Sequence, residues 1–164
     1  MKNRKGNQKG FSLIELLLVV AIILIIAAIA IPNLLQARMA ANEASAVASL
    51  RTVSVAMVSY NDNYPTVGFA PTLAALGGTD CTTPDQNGAC LIDSLLAGGS
   101  KSGYNFTSTS IVVGSDPADQ FVAVATPVSG NRSFCTTEQG VIHYDPSGNA
   151  IADRDSCLGL AELQ

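Results

Sequence analysis

The side chains able to do chemistry in this 164-residue chain are few, and their spacing excludes most of it. His143 is the single histidine and stands between Ile142 and Tyr144. One chain therefore cannot supply the two histidines of a typical catalytic zinc site, and a structural or surface role is the better reading. No G-x-S-x-G elbow, phosphate loop or dinucleotide fingerprint occurs, and the pair Gly98, Gly99 reads as a turn. These features argue against an enzyme. One constellation could bind an ion: Asp145, Asn149, Asp153 and Asp155 crowd between Cys135 and Cys157. Hard oxygen donors at that density could hold calcium. The spacing departs from an EF-hand, because the glycine is misplaced and the terminal bidentate acid is missing, and a solvated loop is the plainer reading. No other cofactor is expected.

Cys81, Cys90, Cys135 and Cys157 form no C-x-x-C pair, which sets aside zinc knuckles and thioredoxin-like redox sites. Their even count in loop-rich sequence points to two disulfides. Three connectivities are open; the sequential one, Cys81 to Cys90 and Cys135 to Cys157, is favoured because each bridge closes a short local loop. In a chain-entropy account each would stabilise the fold by roughly 2.5 to 3.5 kcal/mol. The alternative is a set of reduced thiols in a cytosolic protein.

Charge is unevenly divided along the chain. Lys2, Arg4, Lys5 and Lys9 precede Gly10 with no acid among them. Residues 11–164 hold five basic against thirteen acidic groups, a formal net charge of −8. With no basic stripe, no specific nucleic-acid partner is expected. Residues 11–31, FSLIELLLVVAIILIIAAIAI, contain only Ser12 and Glu15 as strongly polar groups. As a helix they span about 32 Å, enough to cross the hydrocarbon core of a bilayer. The basic flank would hold the N-terminal end in the cytoplasm, so that everything after Pro32 is extracytoplasmic, where disulfides persist. A secretory signal peptide shares the basic start and an A-x-A sequence at Ala28, Ile29 and Ala30, but the apolar run exceeds a usual h-region. A plain single-pass anchor is the other alternative. Both leave Glu15, five residues into the run, without a purpose.

The residues around that acid, K-G-F-S-L-I-E at positions 9–15, closely resemble the processing site of the type IV pilin and type II secretion pseudopilin family. By that resemblance a prepilin peptidase cuts between Gly10 and Phe11, and Phe11 becomes an N-methylated first residue. Glycine suits the position sterically, since no Cβ keeps a protease from extended backbone. Cleavage removes the basic leader and leaves a cationic amine at Phe11. An intramembrane acid costs about 2.5 to 3.5 kcal/mol at a helix centre and less near the interface, which favours pairing. Glu15 of an incoming subunit is thus expected to meet the Phe11 amine of a neighbour during assembly. Pro32 belongs to the resemblance too, and without its N–H it should kink the helix or melt the preceding turn. Many relatives carry a glycine upstream of that proline; residues 11–31 here contain none.

Residues 33–62 are alanine-rich and free of Gly and Pro, which predicts that the helix resumes and continues. Val47, Leu50, Val53, Met57 and Tyr60 fall on roughly one face and should pack onto a head. Arg38, Glu43 and Arg51 are placed outward, on a solvated face or at contacts between subunits. After a turn-rich stretch, short helices are expected near residues 71–76 and 91–97. Strand-like segments follow at 103–113, 120–126, 132–136 and 141–144, with hairpin turns at Gly130, Asn131 and at 138–140. Residues 121–150 also look like the sheet and C-terminal loop of certain bacterial pilins.

The expected fold is α+β, a pilin fold with one long N-terminal helix packed on a small antiparallel sheet of three or four strands. Its parts are a cleaved leader (1–10), an apolar transmembrane and assembly helix (11–32), a helical spine of the head (33–62) and disulfide-bearing loops and sheet (63–164). The resemblance implies a structural subunit that polymerises with itself, with membrane lipid, a prepilin peptidase and pilus or secretion machinery as partners. It would lie in the inner membrane before assembly, then in a surface pilus or a periplasmic filament. A type II secretion pseudopilin is the alternative within the family. A non-polymeric, membrane-anchored periplasmic binding protein is the alternative from another class.

Overall fold

The computed structural model describes residues 10–78, 81–114, 117–129 and 132–163. It divides into two units, Met1–Arg38 and Met39–Gln164. Helix α1 (Leu13–Asn63, 51 residues) runs through both. Of the two outcomes expected at Pro32, a kink or a melted turn, the melted turn is absent: the helix is continuous through it. Proline lacks the N–H that would meet the carbonyl of Ala28, but Asn33 Nδ2 donates to the next carbonyl, Ile29 O, at 3.0 Å. With no glycine upstream, the helix also keeps its best formers through that turn.

In the second unit α1 buries Ala46, Ser49, Leu50, Val53, Ala56, Met57 and Tyr60. Four of the five stripe residues predicted from sequence are fully enclosed, while Val47 is half-buried at the margin of the core. Against this face lies an antiparallel meander in sequential order: β1 (Ser100–Lys101), β2 (Tyr104–Ile111), β3 (Gln120–Pro127), β4 (Ser133–Thr137), β5 (Ile142–Asp145) and β6 (Ala161–Glu162). Six strands replace the three or four expected. The two additional ones are two-residue edge strands, too short to show an alternating pattern. The β1–β2 turn has positive φ at both Ser102 and Gly103, as a two-residue primed turn requires. The turn expected at 138–140 is present, closed by Gly140 N to Thr137 O at 2.9 Å. The one expected at Gly130 and Asn131 lies outside the described residues.

Side-chain alternation sorts the sheet into two faces. Phe106, Phe121, Ala123, Ala125, Phe134 and Ile142 join the α1 core. Val122, Val124 and Cys135 form a second, smaller core with Cys157, Ile151 and Leu160. This layer is supplied by helix α4 (Arg154–Leu158), which the sequence reading missed. Because both faces of β3 are covered, the run Phe121–Val122–Ala123–Val124–Ala125 is buried throughout, without alternation. The predicted short helices are α2 (Leu73–Leu76), capped by Thr72, and α3 (Ser94–Ala97), capped by Asp93; both begin two or three residues later than expected. Each start is fixed by a side-chain oxygen that accepts from backbone N–H groups of the first turn.

Candidate functional site

The residues singled out near the N-terminus occupy the entry to α1. Gly10, Phe11 and Ser12 precede the helix, and the Ser12 carbonyl accepts its first bonds from Glu15 N at 3.1 Å and Leu16 N at 3.2 Å. Glu15 is the one acid in the first turn, where the positive end of the helix dipole favours it. It has no ion-pair partner among the described residues. Around it the apolar side chains point outward on every side: Phe11 is 83% exposed, Leu13 75% and Ile29 66%. The segment is long and apolar enough to cross a membrane, and none of its apolar window is buried within the chain. A helix apolar all round has no aqueous side, so this surface demands lipid or other helices.

Within the head unit the cysteines pair sequentially, Cys81 with Cys90 and Cys135 with Cys157. The second bridge fastens α4 to β4 inside the smaller core. His143, on β5 beside Cys135, is buried, and its Nδ1 lies 3.0 Å from the Leu160 carbonyl oxygen. Only a protonated Nδ1 can donate there, which makes the ring a fastener for the chain leading into β6.

The four calcium candidates are used separately. Asp145 Oδ1 accepts from Ser147 N at 2.9 Å, Asp153 Oδ1 caps α4 through Ser156 N at 2.8 Å, and Asp155 lies 3.7 Å from Arg154. At Asn149 the backbone carbonyl accepts from the Ser133 hydroxyl. The hydrogen bond and backbone contact at Ser156 lower the Asp153 pKa below the usual carboxylate value. Among the described residues no group of three or more His, Cys, Asp or Glu is placed to hold a metal ion.

Two part-buried ion pairs escaped the sequence reading, as did the more exposed pair of Lys101 with Asp93. Glu43 does not point outward: it accepts from Arg132 Nε at 3.2 Å and from Nη2, and only 12% of its side chain is exposed. The Arg132 guanidinium lies 5.7 Å from the Phe134 ring centre and 5.6 Å from that of Tyr144, a cation–π clamp. Nearby, burial first and the Glu43 charge second push the Tyr104 hydroxyl up to about 12, against a smaller opposing effect of Arg132. Arg154 Nε donates to both oxygens of Glu138, at 3.0 and 3.1 Å. Burial pushes the Glu138 carboxyl up, but hydrogen bonding and charge from Arg154 outweigh it, and the net pKa is lowered. The partners in the first pair are 89 residues apart, so no local spacing could have revealed it. Arg38 and Arg51 are exposed as expected.

The described residues offer an unburied apolar stalk and a self-contained head. A family described as the prokaryotic N-terminal methylation motif matches residues 5–31. The chain is similar to the type IV wide pilus major component PilA4 of Thermus thermophilus, 61% identical over 44 residues, which cover 27% of this chain and 34% of that protein. It is also similar to the type IV major pilin protein PilA of Myxococcus xanthus, 41% identical over 72 residues, covering 40% of this chain and 33% of that protein. The matched region spans about a third of the length of each of these curated relatives. No solved structure matches. The likeness to type IV pilins thus lies in the N-terminal part of the chain, and residues 5–31 match the prokaryotic N-terminal methylation motif. The long N-terminal helix and the antiparallel sheet form an α+β arrangement consistent with a pilin fold.

Proposed function

We propose that this chain is a subunit of a type IV pilus, cut between Gly10 and Phe11 by a prepilin peptidase, N-methylated at Phe11 and polymerised through α1. The observation that carries the reading is the exposed apolar N-terminal part of α1, interrupted by one acid, Glu15, in its first turn. Before assembly the helix lies in the inner membrane with the head extracytoplasmic. In the filament the same surface is buried against neighbouring helices, and Glu15 pairs with the Phe11 amine of another copy. Head-to-tail contacts that do not close into a ring then give a fibre. The pilus is preferred to a secretion pseudopilus because both relatives are named as major pilus components. Calcium has no part in this proposal.

Mass spectrometry of the native N-terminus tests the first half: the expected chain begins at Phe11 and carries one additional methyl group. A start at Met1 or near Ala30 would overturn it. Filament imaging tests the second half. Glu15→Lys places a cation opposite the Phe11 amine and should abolish fibres while leaving cleavage intact; normal filaments from that variant would refute the pairing.

A further inference from the structure

The five described cations of the chain are Arg38, Arg51, Lys101, Arg132 and Arg154. Lys101 pairs with Asp93, Arg132 with Glu43 and Arg154 with Glu138. Arg38 lies in the N-terminal unit. Arg51 is therefore the one cation of the head without an acidic partner among the described residues, and it is exposed on α1. Two hollows flank it. On one side is a hollow of about 350 Å³ lined by Thr52, Val55, Ala56, Ser59 and Leu91. On the other, a hollow of about 380 Å³ is lined by Val47, Ala48, Phe134 and Leu163 together with the Glu43–Arg132 ion pair. Val55, beside the first, is 68% exposed, and Val58 one turn on is 49% exposed. A hydrated arginine on a polar face needs no explanation, but one between two open hollows, beside exposed Val55 and Val58, has the mixed apolar and arginine composition enriched at interfaces.

The complement is present on the same head. Asp62, Asp85, Asp119 and Glu162 are exposed, and none has a cation within 4 Å among the described residues. Heads cut from a chain whose residues 11–164 carry −8 repel one another unless their contact sets opposite charges together. Arg51 is the group available to do so without breaking an internal pair. We propose that Arg51 and its two flanking hollows form the surface on which a second copy of this chain docks an exposed acid with apolar neighbours. This rests on the reading of the chain as a filament subunit and adds where charge fixes the packing of heads. Closure of the apolar rim excludes water, so the pair is stronger there than in the open, and a like charge at the same place is correspondingly costly.

The experiment uses the full-length chain in its native host, with Arg51→Lys, Arg51→Gln and Arg51→Glu compared for sheared filament relative to membrane-held subunit. Expected is a graded loss: Lys near the unaltered chain, Gln lower, and Glu reduced about tenfold or more, with N-terminal maturation and the melting temperature of the detergent-solubilised subunit unchanged in all three. Restoration of the Glu variant by one of Asp62→Lys, Asp85→Lys, Asp119→Lys or Glu162→Lys would support the proposal and identify the opposite group. Undiminished filaments from Arg51→Glu would overturn it, as would an Arg51→Lys variant that fails as badly as Arg51→Glu. Depletion of Arg51→Glu from the membrane pool would overturn it in favour of a lipid contact. If the unaltered chain made no filaments, the filament reading itself would fall instead, so the two failures are separable.

Discussion

The two units of this chain bury nothing alike. From Phe11 to Ile31 the large apolar side chains are 45 to 83% exposed, whereas Leu50, Val53, Met57, Tyr60, Phe121 and Leu76 in the other unit are completely enclosed. Both regions are apolar, so hydrophobicity alone does not distinguish them. Arrangement does. In residues 11–31 apolar groups surround the helix, leaving no polar side to face water; in the head they occupy one stripe of α1 and one face of a sheet, which can close on each other. The head finishes its own burial, and the stalk leaves that to its surroundings.

Substitutions can break the comparison on either side, starting with the head. Phe121→Ala removes a fully buried ring from between α1 and β3 and should destabilise the head by about 4 kcal/mol. Thermal unfolding of the full chain in detergent would show this, with membrane retention of the stalk unaffected. Replacing both Cys135 and Cys157 by serine opens a loop of 22-residue separation, and the chain-entropy relation gives a loss of about 3.4 kcal/mol. The same melt measures it, and the small core around Val122 and Val124 should gain amide hydrogen exchange first.

A change in the stalk should do the reverse. Ile22→Asp places a charge midway along the apolar run at a cost of about 3 kcal/mol of membrane insertion. Fractionation would show subunit lost from the membrane while the head melts normally; a head that melts early would mean that the regions are not energetically separate. The smallest effect is one of pH. The lowered Glu138 pKa means that its pair with Arg154 stabilises the head above the ordinary carboxyl value of 4.5 and ceases to do so as pH falls through the folded-state value. Melting temperature should therefore drop more steeply below pH 4.5 in the unaltered chain than in Glu138→Gln; parallel curves would assign the acid sensitivity elsewhere.

How much of this was legible in the residues themselves follows from range. The stripe on α1 was readable because helical spacing is local, and so were Leu50, Val53, Met57 and Tyr60 as core. The strands β2 to β5 were readable for the same reason. The sequential disulfides follow the order of the cysteines along the chain. What was not readable is whatever depends on distant partners: Glu43 meeting Arg132, and α4 roofing the outer face of β3 and β4. Pro32 shows a different limit. A rule about prolines predicts a kink or a melted turn, but good helix formers on either side and the Asn33 side chain keep the turn helical. Of the acids that crowd in sequence near the C-terminus, Asp145 closes a turn and Asp153 caps α4, local roles that crowding alone does not reveal.

The sheet ends in strands of two residues on both sides, β1 and β6. On the β6 side the border is brief, because β5 itself has four residues. On the other side β1 pairs only Tyr104 and Asn105, and residues 107–111 of β2 run past it without a strand partner there among the described residues. A longer free border offers more amide and carbonyl groups to a foreign strand, so backbone aggregation would begin along β2 rather than along β5.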